Sequence, residues 1–411
     1  MKNRICLFLL LALFDLFPAS KAGADFTLVI ATDPHYIAPS LTDGGAYYQA
    51  VLRQGDSKFM PYIEPLTEEF FTEVLELRPD ALLLTGDLTF NGAIESHEAL
   101  IEKLRAVEAA GIPVLVTTGN HDVYNFLAAR YEGDSFSYVP GATTQDFAAL
   151  YADFGLKESL TVDGDSLSYV YPLPDGTRLL VLDLNSLHDF CGISDTTLDW
   201  VEQQLQQAQR DGAAVIAAGH QNLYRHTVFR DGYVIGNAEK LASLLRQYGV
   251  SLFLSGHLHV QHIRTEDDLT EIAGSALCSY PCQYGVLTAG ETGLSYETRR
   301  LDLAAWAERT GDTDPVYQRF TEAAGDYMDD HFSVDTRPES ISPADWPAML
   351  AYLRSINRAY FAGDLRELSA LDPDGQLAAK WLALGDLTSY YVNSIMSNIG
   401  EDFCHWSSPL S

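Results

Sequence analysis

Five short motifs stand out by residue type: Asp33-x-His35, Gly86-Asp87, Gly119-Asn120-His121-Asp122, Gly219-His220 and Gly256-His257-Leu258-His259. Their carboxylate, imidazole and carboxamide side chains are hard or borderline donors. They suit Mn, Fe, Zn, Mg or Co better than metals that seek thiolates, and no cysteine falls in any of the five. A lone Asp-x-His or His-x-His says little, since most isolated histidines are core or surface residues. Five motifs in order, supplying a full set of ligand-type side chains, are a different matter. Four of them contain glycine, which lets a backbone turn tightly and aim its neighbours inward.

Each motif needs an element to deliver it. The apolar run Phe26–Ala31 reads as a buried strand ending at Asp33, and Ala81–Thr85 as a second running into Gly86-Asp87. Pro113–Thr117 leads to Gly119, Ala214–Ala218 to His220, and Ser251–Leu254 to His257 and His259. Apolar residues at helical spacing fall between them, over Glu64–Leu77, Ser96–Ala110, Thr196–Gln209 and Ala238–Tyr248. Ser168–Leu173 and Arg178–Leu184 read as strands joined by the turn Pro174-Asp175-Gly176. Strands ending in polar motifs and separated by helices predict an α/β fold with its ligand site at the carboxyl ends of the strands. Gly285–Thr288 and Leu294–Thr298 alternate like strands finishing a second sheet. From Asp302 onward strand signals fade, and Trp306, Tyr317, Phe320, Trp346, Leu353, Tyr360, Trp381 and Tyr391 sit in helix-like stretches that read as core. The expected units are therefore 1–24, 25–301 and a mostly helical 302–411.

Composition narrows the function classes. The 411 residues are 47% hydrophobic and 20% charged, which is ordinary for a globular chain. The formal net charge of −31 repels polyanions and anionic lipid, and argues against a nucleic-acid partner. A small phosphorylated substrate is still compatible, because bound metals supply local positive charge. Lys2 and Arg4 precede the apolar run Ile5–Phe14, and Ala22-Gly23-Ala24 follows, the order of an export signal. The run is too short to span a bilayer, so a secreted chain beginning near Asp25 without stable membrane insertion is expected. Cys191, Cys278, Cys282 and Cys404 would remain. They permit one or two disulfides, but structural or free thiols fit better than a Cys278/Cys282 metal site.

The motif order resembles the calcineurin-like metallophosphoesterase superfamily over roughly Phe26–Arg300. Leu88–Gly92 and Ala276–Pro281 support a likeness to exported bacterial class III cyclic-nucleotide phosphodiesterases. The resemblance implies a four-layer αββα sandwich and two divalent or trivalent ions (Mn, Fe, Zn or Co). Asp33, His35, Asp87 and His259 would hold the first ion; Asp87 would bridge to the second, completed by Asn120, His220 and His257. It further implies attack by a metal-bridged hydroxide. His121, next to the ligand Asn120, would serve catalysis by donating a proton or stabilising charge. Asp122 would orient its ring; the plainer alternative is that both residues hold the turn.

Some branches of the superfamily fit poorly. Phe90 stands where purple acid phosphatases carry a tyrosine ligand, and the arginines flanking the motifs of serine/threonine phosphatases are missing. The helical tail is unlike the C-terminal domain of 5′-nucleotidases. Phosphodiester hydrolysis is thus the leading expectation, with 3′,5′- or 2′,3′-cyclic nucleotides first. Phosphomonoesters, scavenged diesters such as glycerophosphodiesters, and a non-catalytic binding protein are the alternatives. His226 is either a substrate contact or an ordinary surface histidine, and His262 a strand-face residue. Tyr47, Tyr48 and Asn91 are open candidates for the pocket wall.

Overall fold

The computed structural model describes residues 25–185, 191–228, 232–332, 334 and 336–409. The leader expected at 1–24 lies outside the described residues.

Fifteen strands are described. β1 (Phe26–Ala31), β2 (Ala81–Leu84), β3 (Val114–Val116), β4 (Ala129–Glu132) and β5 (Ser135–Tyr138) come first. β6 (Thr161–Val162), β7 (Tyr169–Pro172), β8 (Arg178–Val181), β9 (Val215–Ala218) and β10 (Leu252–Ser255) follow. β11 (His262–Glu266), β12 (Leu269–Ala273), β13 (Gln283–Gly290), β14 (Gly293–Arg300) and β15 (His405–Pro409) complete the set. Two large sheets result, in the orders β15-β14-β13-β1-β2-β3 and β11-β12-β10-β9-β8-β7-β6, with β4-β5 a separate hairpin.

Period-2 alternation explains the layering. Leu28 and Ile30 of β1, Leu83 of β2, Leu179 and Val181 of β8, and Leu252 and Leu254 of β10 face one another in a core between the sheets. The alternate residues turn outward. Val29, Ala31, Leu82 and Leu84 meet the helices α1 (Ala46–Arg53), α2 (Ile63–Leu77) and α3 (Ile94–Ala109). After the short α4 (Thr144–Leu150) come α5 (Asp195–Asp211) and α6 (Ala238–Gln247), which cover Leu180, Ala217 and Phe253 on the other side. Strands buried on both faces have no polar side to show, which is why they read as continuous apolar runs. The ends of α5 are set locally: the Ser194 hydroxyl accepts from Thr197 N at 3.0 Å, and Gly212 closes the helix with φ 66°. The four-layer αββα arrangement is thus present.

One sheet assignment is corrected. β13 and β14 do not finish the second sheet but extend the first, β13 pairing antiparallel with β1 through Phe26↔Ala289 to Ile30↔Gly285. Leu287 joins the core between the sheets while Val286 faces the helices, so β13 repeats the facing pattern of β1.

After Arg300 the chain is mostly helical: α7 (Leu303–Thr310), α8 (Phe320–His331), α9 (Trp346–Ala362), α10 (Leu368–Leu371), α11 (Gln376–Leu382) and α12 (Leu387–Met396). Packing does not break at 302, since Leu303, Ala307, Tyr317 and Phe320 share a core with α2 and α3. Met349, Leu353, Ile356, Tyr360 and Trp381 build a core of their own with Val260 at its edge, so the aromatic stripe is packed interior. β15 then pairs with β14 at the edge of the first sheet. Among the described residues, no helix is long and apolar enough to cross a membrane.

Candidate metal centre

β1, β2 and β3 are mutually parallel, as are β9 and β10, so all five motifs leave their strands at one end of the sandwich. The backbone there departs from strand geometry. Asp33, His35, Asp87, His257 and His259 adopt φ of 52°, 45°, 48°, 65° and 62°. Each such non-glycine residue costs on the order of 1 kcal/mol and persists only where its surroundings hold it. Here the loops are laced together: Asp33 N donates to Gly86 O (3.1 Å), His35 N to Asp87 O (3.0 Å) and Gly256 N to His220 O (2.9 Å). Two glycines serve closeness. A Cβ on Gly119 would stand 2.0 Å from Asp87 N, and one on Gly256 would stand 1.7 Å from Thr32 Oγ1.

The donors converge. Asp33 Oδ1 lies 3.2 Å from His259 Nε2 and 3.6 Å from His35 Nε2. Asp87 Oδ2 lies 3.3 Å from His220 Nε2 and 3.6 Å from His35 Nε2, placing Asp87 between the two groups. His220 Nε2 is also 3.2 Å from Asn120 Oδ1 and 3.2 Å from His257 Nδ1. Backbone carbonyls fix the tautomers: His220 Nδ1 donates to Thr85 O (2.7 Å), and His257 Nε2 to Gly232 O (2.8 Å). That leaves His220 Nε2 and His257 Nδ1 as the nitrogens that face each other, with room for one proton or one metal ion between them.

Imidazole nitrogens this close beside carboxylates call for positive charge between them, a proton or a metal ion. His35 Nε2 and His259 Nε2 are likewise 3.3 Å apart. Two nitrogens bound at about 2.0–2.1 Å to one tetrahedral metal stand roughly 3.3 Å apart, so the spacing fits shared ions. Electrostatics agree. Burial, aided by the Lys58 charge, pushes His35 down to about 3, and burial with the neighbouring His220 pushes His257 down to about 4, so both present neutral rings. Burial opposes a proton on His220, yet Asp87 and Asp33 outweigh it and raise its pKa to about 9. The centre draws positive charge. Asp33-His35-His259 and Asp87-His220-His257 each bring their ligand atoms within 4.8 Å of one another, as does His35-Asp87-His121.

The expected role of Asp122 is corrected. Its buried carboxylate does not touch His121. It accepts from Leu88 N (3.1 Å), Thr89 N (2.9 Å), Thr89 Oγ1 (3.1 Å) and Gly119 N (2.8 Å), tying the Asp87 loop to the Asn120 loop. The tight turn Gly119–Asp122 points the carboxylate back at these amides. His121 is oriented by the Phe90 carbonyl, which takes Nδ1–H at 2.7 Å. Its Nε2 stands 4.0 Å from Asp87 Oδ2, and its side chain is 31% exposed, toward a cavity of about 520 Å³.

Asn91 lines that cavity, while Tyr48 packs behind it on Phe90 and Tyr131, and Tyr47 on Phe136. His226 is not a surface residue: it is buried, with Nε2 2.8 Å from Glu271 Oε2. Glu271, absent from the sequence reading, accepts Leu223 N, Tyr224 N and the Ser255 hydroxyl behind His220 and His257. A carboxylate within the apolar strand Leu269–Ala273 was its signal. Asp56 and Lys58 were also missed; Asp56 Oδ2 is 3.6 Å from His259 Nδ1. All four described cysteines are buried free thiols.

The calcineurin-like phosphoesterase family model matches residues 26–261. A probable cyclic nucleotide phosphodiesterase of Rhodococcus erythropolis is 29% identical over 226 residues, covering 53% of this chain. The match spans 63% of that relative, less than two thirds of its length. A 3′,5′-cyclic-nucleotide phosphodiesterase of a Nostoc species is 26% identical over 221 residues, covering 52% of this chain and 70% of its own. Among solved structures, a dimetal phosphatase from Danio rerio aligns with a TM-score of 0.49 at 15% identity, over 67% of this chain and 96% of that one.

Proposed function

Since the chain belongs to the calcineurin-like phosphoesterase family, we propose that it hydrolyses phosphodiester bonds, with cyclic nucleotides as its substrate class. The observation that carries the reading is the placement of Asp87, whose Oδ2 lies within 3.6 Å of imidazole nitrogens from both donor groups. A carboxylate so placed suits a pair of cations about 3.5–4 Å apart. Asp33, His35 and His259 would hold one ion and Asn120, His220 and His257 the other. Bound there, two ions would neutralise phosphoryl charge and acidify a water.

The remaining roles belong to the chain. His121 presents Nε2 to the cavity while Phe90 O holds Nδ1–H, so the ring is fixed to hand a proton to the leaving oxygen. Thr85 O and Gly232 O hold the second-ion histidines in the tautomers that ligation needs. The relatives named as cyclic-nucleotide phosphodiesterases support the substrate class. The leader-like order of Lys2, Ile5–Phe14 and Ala22–Ala24 supports export.

The test is turnover of bis-p-nitrophenyl phosphate, p-nitrophenyl phosphate, 3′,5′-cAMP and 2′,3′-cAMP by metal-loaded protein, beside Asp87→Ala. Diester turnover that vanishes with EDTA and in Asp87→Ala is the expected result, and the preferred ring names the substrate. Turnover of the monoester alone refutes the diesterase reading. So does failure with every ester and metal.

A further inference from the structure

Lys58 is a cation in the cavity wall that the proposed chemistry leaves unused. It is only 8% exposed, and it shares the 520 Å³ cavity with His121, Asn91 and Phe90. Its Nζ donates to Asp56 Oδ1 at 2.5 Å. Among the described residues no other acceptor is within hydrogen-bonding distance of its two remaining N–H groups. A buried ammonium is costly unless paired and hydrogen-bonded, and this one uses one of its three donors. The loop, between α1 and α2, is pinned where Phe59 N donates to Cys278 O at 2.7 Å, and Ser57 between the two charges holds φ 64°.

The surroundings make a purely structural cation odd. Two metal ions nearby would repel an ammonium, and Asp56 is the one ion-pair partner Lys58 has among the described residues. Asp56 is 53% exposed at its side chain, so this pair was not built to bury a carboxylate. The buried member is the lysine, and it lines the cavity that His121 also lines.

We propose that Lys58 binds a non-bridging oxygen of the substrate's phosphoryl group, as a third positive contact beside the two metal ions. This rests on the phosphoesterase reading of the centre. An anionic oxygen takes the two N–H donors that the protein leaves open, and charge-assisted bonds of this kind are about twice as strong as neutral ones. Asp56 then acts as a positioning residue, holding Nζ against the cavity wall in the absence of substrate.

The test uses inorganic phosphate as probe, titrated calorimetrically into the metal-loaded full chain, with metal content measured alongside and kcat/KM taken on the best diester. Lys58→Gln is expected to weaken phosphate binding by about tenfold or more and to lower kcat/KM by about 100-fold, with metal content unchanged. Lys58→Arg keeps the charge and should retain most of both. Adding Asp56→Asn to Lys58→Gln should rescue neither. Three results overturn the proposal: phosphate affinity and kcat/KM near wild type in Lys58→Gln, recovery in the double variant, which would make Lys58 a mere counter-charge to Asp56, or loss of metal in Lys58→Gln. Should wild type hydrolyse no ester while Lys58→Gln still loses phosphate binding, the diesterase reading fails and the Lys58 contact stands.

Discussion

Replacing Asp122 by alanine separates two roles that this residue was open to from sequence. If its carboxylate oriented His121, Asp122→Ala and His121→Ala would share a phenotype: slow turnover in a stable protein. The structure instead gives Asp122 four donors, three of them backbone amides from two loops, at 2.8–3.1 Å. Hydrogen bonds to a charged acceptor contribute about 1.5–3 kcal/mol each, and a buried donor left unpaired costs about 1–3 kcal/mol. Such terms do not add, and burial beside Asp87 already works against the carboxylate. A net loss of about 4 kcal/mol is the reasonable expectation. At about 2–4 °C per kcal/mol, Tm should fall by roughly 10 °C. The assay is thermal unfolding in EDTA, so that metal loss does not contribute. His121→Ala, whose ring is partly exposed, should change Tm by no more than about 2 °C while lowering kcat by about 100-fold or more. An Asp122→Ala melting point within about 3 °C of wild type would rule out the tethering role of Asp122, as would equal melting points for the two variants.

Two further expectations concern packing and pH. Gly119→Ala places a Cβ 2.0 Å from Asp87 N and 2.2 Å from Asp87 Oδ1, so bound metal should fall sharply, whereas Gly164→Ala, with nothing within 4 Å of its Cβ, should bind as wild type does; metal analysis that finds the two alike refutes the packing argument. His97 is buried between the Tyr151 hydroxyl and Asp122 O, and burial pushes it down to about 4 from 6.5. Its stabilising share is therefore complete above about pH 6.5 and is lost as pH falls toward 4, about 3 kcal/mol in all. Urea midpoints in EDTA across that window should fall less steeply in His97→Gln than in wild type, and parallel slopes would contradict the assignment.

The strand ends were the legible part of the sequence. β1, β2, β3, β9 and β10 are short, doubly buried and apolar, so each stopped visibly at its motif. What the motifs do at those ends was not legible. The left-handed backbone at Asp33, His35, Asp87, His257 and His259 depends on cross-loop hydrogen bonds, which leave no local pattern. Asp122 looked like a partner for His121 because it is next in the chain, yet a tight turn sends adjacent side chains apart. Asp56 and Lys58 come from a loop that carries no motif and reach the cavity only through the fold. The sheet membership of β13 was hidden for a related reason: alternation shows that a strand has two faces, not which sheet it borders.

β14 and β15 are neighbours in one sheet, and the whole helical segment from α7 to α12 leaves from one and returns to the other. That makes the segment a closed excursion and not a pendant tail. Its two ends attach to adjacent, hydrogen-bonded strands, so swinging it away as a unit would have to twist or peel the sheet edge. Loosening the helices would unseat β15, and loosening β15 would release one end of the helices. The helical layer and the sheet that carries Asp33 and Asp87 are thereby bound to melt together, and a single chain break among the helices would leave both pieces still fastened to the same edge.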